Sequence, residues 1–290
     1  KHSFPTRRSS DLYMNDGGSW SADEALDGSG TVSDKVWSLK NVNGTRTVSV
    51  RLKDIAGNVS STYSDSIYLN TEAPDYPVPS AVTPTNDTTP LWSWTAVAGA
   101  SQYRYRLDGA SWINIGNVLT WTPVDELGEG THTFELQAAD IANNWSATGS
   151  HTVLIDITPP SSPSPSASTP TNDQTPTWSW SAVSGAVNYR YSYNNSSWTN
   201  LGNVTSFTPS SNLPAGNNTL YVQASDNVGN WSTPSGSHTV FIDITPPSSP
   251  SPSTVTPTND QTPTWSWSAV PEAVNYRYSY NNSSWTNLGN

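Results

Sequence analysis

The stretch VNYRYSYNNSSWTNLGN fills Val187–Asn203 and recurs unchanged at Val274–Asn290. Working outward from it, the same phrases return along the whole chain. Trp92, Trp178 and Trp265 lie 86 and 87 residues apart, within LWSWTAV, TWSWSAV and TWSWSAV. Asp54, Asp140 and Asp226 are each 86 apart, within KDIAGNVS, ADIANNWS and SDNVGNWS. IDITPP at Ile155 and Ile242 repeats after 87. These marks define four copies: the later part of one at 13–73, complete ones at 74–158 and 159–245, and the earlier part of a fourth at 246–290. A period near 86 is too long for a solenoid unit and suits a small independent domain. The repetition reads as a tandem array, and the stop inside a copy reads as a piece of a longer protein.

Within a copy the apolar residues alternate. TWSWSAV puts Trp178 and Trp180 on one face, with Thr177 and Ser179 on the other. YRYSY does the same with Tyr189, Tyr191 and Tyr193. SWTNLG, TSFTP, NTLYVQAS and SHTVFID follow, separated by Gly, Asn and Pro clusters. No stretch sustains a 3.6-residue period. About seven short strands in a unit of this size predict an all-β, two-sheet sandwich of immunoglobulin-like type. The paired tryptophans are its expected core, together with the position held by Trp37, Trp121 and Phe207. The aromatics of the two partial copies are expected to be poorly buried. After the repeated Asp, one position reads Gly57, Asn143 and Gly229. Glycine and asparagine tolerate positive φ best, so this position is expected to be left-handed.

Composition narrows the function. The chain carries a net charge of −11, 33% hydrophobic residues, 14 Trp, 13 Tyr and 4 Phe, and no cysteine. The alternating aromatics argue against disorder. The acidic balance argues against nucleic acid, which is bound by basic patches. No apolar run approaches the ~20 residues of a membrane-spanning helix. Without cysteine there is neither a disulfide framework nor a thiolate metal site. Lys1–Leu12, KHSFPTRRSSDL, is similar to the in-frame translation of a common sequencing adapter and is set aside from the fold as an artefact. The linkers TPPSSPSPSAST and TPPSSPSPSTVT favour polyproline II, with part of each becoming an edge strand, so the array is expected to be a fairly straight rod. The first copy holds a longer insertion, SADEALDGSGTVSDKV, between Trp20 and Trp37.

Three phrases together resemble bacterial immunoglobulin-like or fibronectin type III-like repeats of surface and secreted proteins. They are the Trp of the second strand, the Y-x-x-D/N-G/N-x-S-W run at Tyr105–Trp112 and Tyr191–Trp198, and D-x-x-G/N-N-x-S followed by I-D-I-T-P-P. The resemblance covers 13–290. It departs from strict fibronectin type III where a tyrosine is usual after the L-P-x-G turn, because Thr219-Leu220 and Thr133-Phe134 stand in that region. It implies an extracellular or cell-surface stalk or spacer, non-catalytic, within an adhesin. Its partners are then neighbouring modules of the same chain and a cell-surface glycan or protein. The alternative is an accessory, carbohydrate-binding region of an exported polysaccharide-degrading enzyme.

Candidate chemistry is sparse. No nucleophile elbow, phosphate loop or zinc-spaced histidine pair is present. His132, His151 and His238 read as strand-face residues, and no enzyme activity is expected. If chain exit meets chain start at each joint, Asp87, Asp156, Asp226 and Asn230 converge as oxygen ligands suited to calcium; the competing reading is turn capping. At the previous joint Asn70 stands in the Asp position. Trp145, Trp231, Trp112, Trp198 and Trp285 are candidate glycan platforms, against the reading that they pack on the sandwich edge. Asn43, Asn144, Asn195, Asn203 and Asn230 stand in glycosylation-acceptor triplets, which Asn/Ser/Thr-rich sequence also produces by chance.

Overall fold

A computed structural model describes residues 8–15, 17–19, 21, 39, 41–54 and 56–289. The chain divides into two compact units, Lys1–Ile157 and Thr158–Asn290, each described by itself. All regular structure among the described residues is β, as the alternation predicts. Trp37 and most of the insertion before it lie outside the described residues.

In the first unit, the first copy contributes an antiparallel sheet in the order β1 (Arg8–Asn15), β2 (Gly44–Asp54), β3 (Tyr63–Leu69). Tyr13 stands opposite Val50, just as Tyr105 stands opposite Leu136 one copy later. So Tyr13–Asn15 belongs to the copy's own tyrosine strand. Arg8–Leu12, set aside from the sequence reading, extends that strand along β2. The physical reason is the open ladder: β2 is 11 residues long, and its unpaired N–H and C=O groups are a template for any extended neighbour. Asp11 falls at the register position that Tyr103 holds in the complete copy.

The complete copy of the first unit follows as β4 (Trp92–Ser93), β5 (Gln102–Leu107), β6 (Ile113–Gly116), β7 (Thr120–Trp121), β8 (Gly130–Ala139) and β9 (Gly149–Ile155). One sheet runs β6-β5-β8-β9 and the other pairs β4 with β7, with Ser80 bridged to Ser93 at its edge. This is a two-sheet sandwich. Trp92, Trp94, Tyr103, Phe134, Leu136, Val153 and Ile155 form the buried core between the sheets. Trp92 is fully buried and lies 5.1 Å from Phe134 and 5.6 Å from Trp121, ring centre to ring centre. A buried indole removes about 200 Å² from water, on the order of 5 kcal/mol as an upper bound. Trp121 is half-buried against this core. The Tyr103 hydroxyl accepts the Val97 N–H at 2.9 Å, which satisfies the one polar atom of that ring.

The poles of the sandwich follow from the register. Gly130 stands opposite Ile155, and Thr85 N donates to Leu154 O while Asp156 N donates to Thr85 O. The TND loop therefore lies at the pole where the last strand ends. The loop after Ala139 lies at the other pole. There Gly57, Asn143 and Gly229 have φ of 90°, 64° and 94°, the left-handed conformation expected of that position.

The second unit repeats the plan as β10 (Trp178–Ser179), β11 (Asn188–Ser192), β12 (Thr199–Gly202), β13 (Ser206–Phe207), β14 (Gly216–Ser225) and β15 (Gly236–Ile242). Its sheets are β12-β11-β14-β15 and β10-β13. Its core is Trp178, Trp180, Tyr189, Leu220, Val222, Ala224, Val240 and Ile242, with Phe207 half-buried beside it. The proline-rich segment is part of this module. Pro163 and Pro165 are buried, Ser166 bridges Ser179, and a Cβ at Gly236 would overlap the Pro163 carbonyl oxygen. In the fourth copy β16 (Tyr276–Tyr278) pairs with β17 (Thr286–Gly289), and Ser253 bridges Ser266. Trp265 there is 53% exposed, as expected of a partial copy.

Candidate functional site

Residues 74–290 contain four permanent cations, Arg104, Arg106, Arg190 and Arg277, and no lysine. Every one lies over a tryptophan. Arg104 Cζ is 4.0 Å from the Trp145 ring centre and 5.0 Å from that of Trp112. Arg190 is 4.1 Å from Trp231 and 5.0 Å from Trp198. Arg277 is 4.9 Å from Trp285. In the complete copies the guanidinium thus lies over two indoles, a favourable cation–π contact with each.

The local sequence explains the stack. Tyr103 faces the core, so its neighbour Arg104 faces out. The NWS run after the turn folds back along β8, where Trp145 bridges Ala139 and Ser146 Oγ accepts the Ala138 N–H at 3.0 Å. That lays Trp145 beside Arg104. Arg104 Nε donates to Gln137 Oε1 at 2.8 Å, and Gln137 Nε2 donates to Ser146 O at 2.9 Å. Arg190, Gln223 and Ser232 repeat both bonds at 2.8 Å. Burial holds the Arg104 and Arg190 pKa below the ordinary arginine value. Arg106 stacks on Trp112 at 4.8 Å and grips Glu135 through two bonds of 2.7 Å, which raise its pKa. The tryptophans were legible in the sequence as surface candidates; the arginines were not singled out. The signal was there, since every arginine after residue 73 stands in a Y-R-Y triplet or directly beside one.

The second feature is a joint inside the first unit. Asn70, just past β3, donates from Nδ2 to Asp140 Oδ2 at 2.7 Å. Asn144 Nδ2 donates to Asn70 O and to Asp140 Oδ2, each at 2.9 Å. Asp140 Oδ1 accepts the Asn144 N–H at 2.9 Å. The end of the first copy is thereby tied to the leading loop of the next. Asp140 is buried, and hydrogen bonds from the Asn144 side chain and backbone hold its pKa below the ordinary carboxylate value.

The remaining sequence candidates sit in turns. Asp87 Oδ1 accepts the Thr89 N–H and hydroxyl at 2.9 and 3.1 Å. Asp226 Oδ1 accepts the Val228, Gly229 and Asn230 N–H groups, and Oδ2 accepts Asn230 Nδ2 at 2.8 Å. Burial pushes the Asp226 pKa up, but the Asn230, Val228 and Gly229 hydrogen bonds outweigh it and leave it lowered. Asp87 and Asp156 belong to the first unit, Asp226 and Asn230 to the second. Among the described residues no group of three or more His, Cys, Asp or Glu side chains is placed to hold a metal ion. His151 and His238 each bond a carbonyl of the first strand segment, Ala81 O and Ala167 O. His132 differs: Nδ1 meets Asp108 Oδ2 at 2.8 Å and Nε2 meets Gly128 O at 2.9 Å. The Asp108 hydrogen bond raises its pKa.

The Y_Y_Y domain family matches residues 182–243, most of the complete copy in the second unit. No curated protein matches the chain significantly. A crystal structure of the chicken CNTN1 FN1–FN3 domains is similar at 13% identity and a TM-score of 0.37, over 81% of this chain and 91% of that one. The strand order and core define the complete copies as immunoglobulin-like, fibronectin type III-like β-sandwiches. Modules of this kind are usually non-catalytic.

Proposed function

We propose that the chain is a stalk or spacer of a bacterial surface or secreted protein, within an adhesin, in which stiff joints between copies hold a distant binding end away from the cell. The observation that carries this reading is the Asn70–Asp140–Asn144 latch. A buried carboxylate satisfied across two copies resists bending, because opening the joint leaves its partners unpaired. The absence of native cysteine makes the test clean. Spin labels at Ser66→Cys and Ser150→Cys should give one narrow distance distribution, and Asp140→Ala should broaden it. A distribution equally broad with and without Asp140→Ala would remove the joint from the account.

Placement within the parent protein is tested separately by a long sequencing read through its gene. Many further copies with a secretion signal and an anchor would sustain the shaft reading. A catalytic domain beside the repeats would favour accessory modules of a polysaccharide-degrading enzyme. The same read decides whether Lys1–Leu12 belongs to the gene.

A further inference from the structure

We propose that the clamped guanidinium groups of Arg104 and Arg190 are docking points for a carboxylate-bearing polysaccharide, a polyuronate. The spacer reading concerns the joints and does not depend on this. Each guanidinium lies over two indoles and has its Nε committed to a glutamine. No acceptor among the described residues meets the Nη1 or Nη2 atoms of either arginine. What remains is a planar fork of N–H donors, fixed in orientation and open at its edge. That shape matches a carboxylate through two parallel bonds. Holding the fork in place before binding lowers the ordering cost of the complex.

The charge layout supports the same partner. The four strands β11, β12, β14 and β15 contain no Asp or Glu, and Arg190 is their one permanent charge. The acidic residues of 159–245 are Asp173, Asp226 and Asp243, and all three stand outside those strands. In the second unit that sheet therefore carries a single positive charge, and in the first Glu135 is neutralised by Arg106, which leaves Arg104 as the unpaired charge, on a chain of net charge −11. That combination favours a partner of spaced carboxylates, since a densely sulfated polymer meets more of the overall repulsion. A neutral polysaccharide has no such handle. Each of the candidate tryptophans has a guanidinium over its ring, so they act as walls of the clamp. Their partly exposed rims leave apolar surface for the sugar ring beside the carboxylate.

The test is affinity electrophoresis of the full chain in gels containing polygalacturonate. Retardation is expected there and not in the carboxyl-reduced form of the same polymer, and it should exceed that in dextran sulfate. The R104K/R190K double variant keeps the charge but loses the planar, stacked fork, and its affinity should fall about tenfold or more. The comparison with carboxyl-reduced polymer uses the unmodified chain, so it stands even if the double variant unfolds. No retardation, equal retardation by the reduced polymer, stronger retardation by dextran sulfate, or a folded double variant that binds as tightly would each overturn the proposal.

Discussion

Val187–Asn203 and Val274–Asn290 have the same sequence and meet different surroundings. In the third copy, β11 is paired on both sides, by β12 and by β14. In the fourth, β16 pairs only with β17 among the described residues, and this sequence holds no counterpart of β14 for it. The consequences reach the core. Trp178 is fully buried, whereas its equivalent Trp265 is 53% exposed. Arg190 lies over Trp198 and Trp231, while Arg277 lies over Trp285, itself 47% exposed. The local hairpin with its turn survives in both, since Asn195 and Asn282 share a left-handed φ of 55° and 56°. Turn chemistry is thus local, and burial of the aromatics is a property of the whole module.

The largest expected difference is in the core. Trp178→Ala should cost about 3–5 kcal/mol, measured by urea unfolding of the second unit. Trp265→Ala should change stability by less than about 0.5 kcal/mol. Equal costs would break the comparison.

Next is Gly236→Ala, whose Cβ would overlap the Pro163 carbonyl oxygen. A cost of roughly 1–3 kcal/mol is expected from the forced backbone shift. A variant that melts with the parent would detach the proline-rich segment from the module.

Strand content, turn handedness and the tryptophan core were legible in the sequence because they follow from alternation and residue type. Trp178 had to face inward once its neighbours Thr177 and Ser179 were polar. The Asn70–Asp140 latch was legible only as a meeting of poles, since which atoms meet depends on the angle between copies. The Arg104 and Arg190 clamps were missed for a related reason. Trp145 and Trp231 lie about 40 residues after their arginines, and only the fold-back of the NWS run joins them. The pairing of Arg8–Leu12 was missed because the segment was judged by its origin, while a free strand edge accepts backbone of any origin.

A smaller effect should separate the stacks. Arg190→Met should lose roughly 0.5–2 kcal/mol as the cation–π contacts go, and Arg277→Met less, read from the same unfolding curves. The smallest is a pH effect confined to the first unit. The folded pKa of His132 is raised above 6.5, so its contribution is complete below that pH and fades as pH rises through the raised value. Asn218 holds the equivalent position in the second unit and does not titrate. Melting followed across this range should show the first unit losing stability as His132 loses its proton. The lowered carboxylates act oppositely: Asp226 stabilises above 3.8 and stops doing so as pH falls through its depressed value.

The most direct test is hydrogen–deuterium exchange of the two identical stretches in one molecule. Their intrinsic exchange rates are the same, and peptides extended to their different flanks tell them apart. The amides of 188–192 should be protected far longer than those of 275–279, because β14 closes the third copy. Equal protection would contradict the claim that each copy is a cooperative module whose two halves make one core.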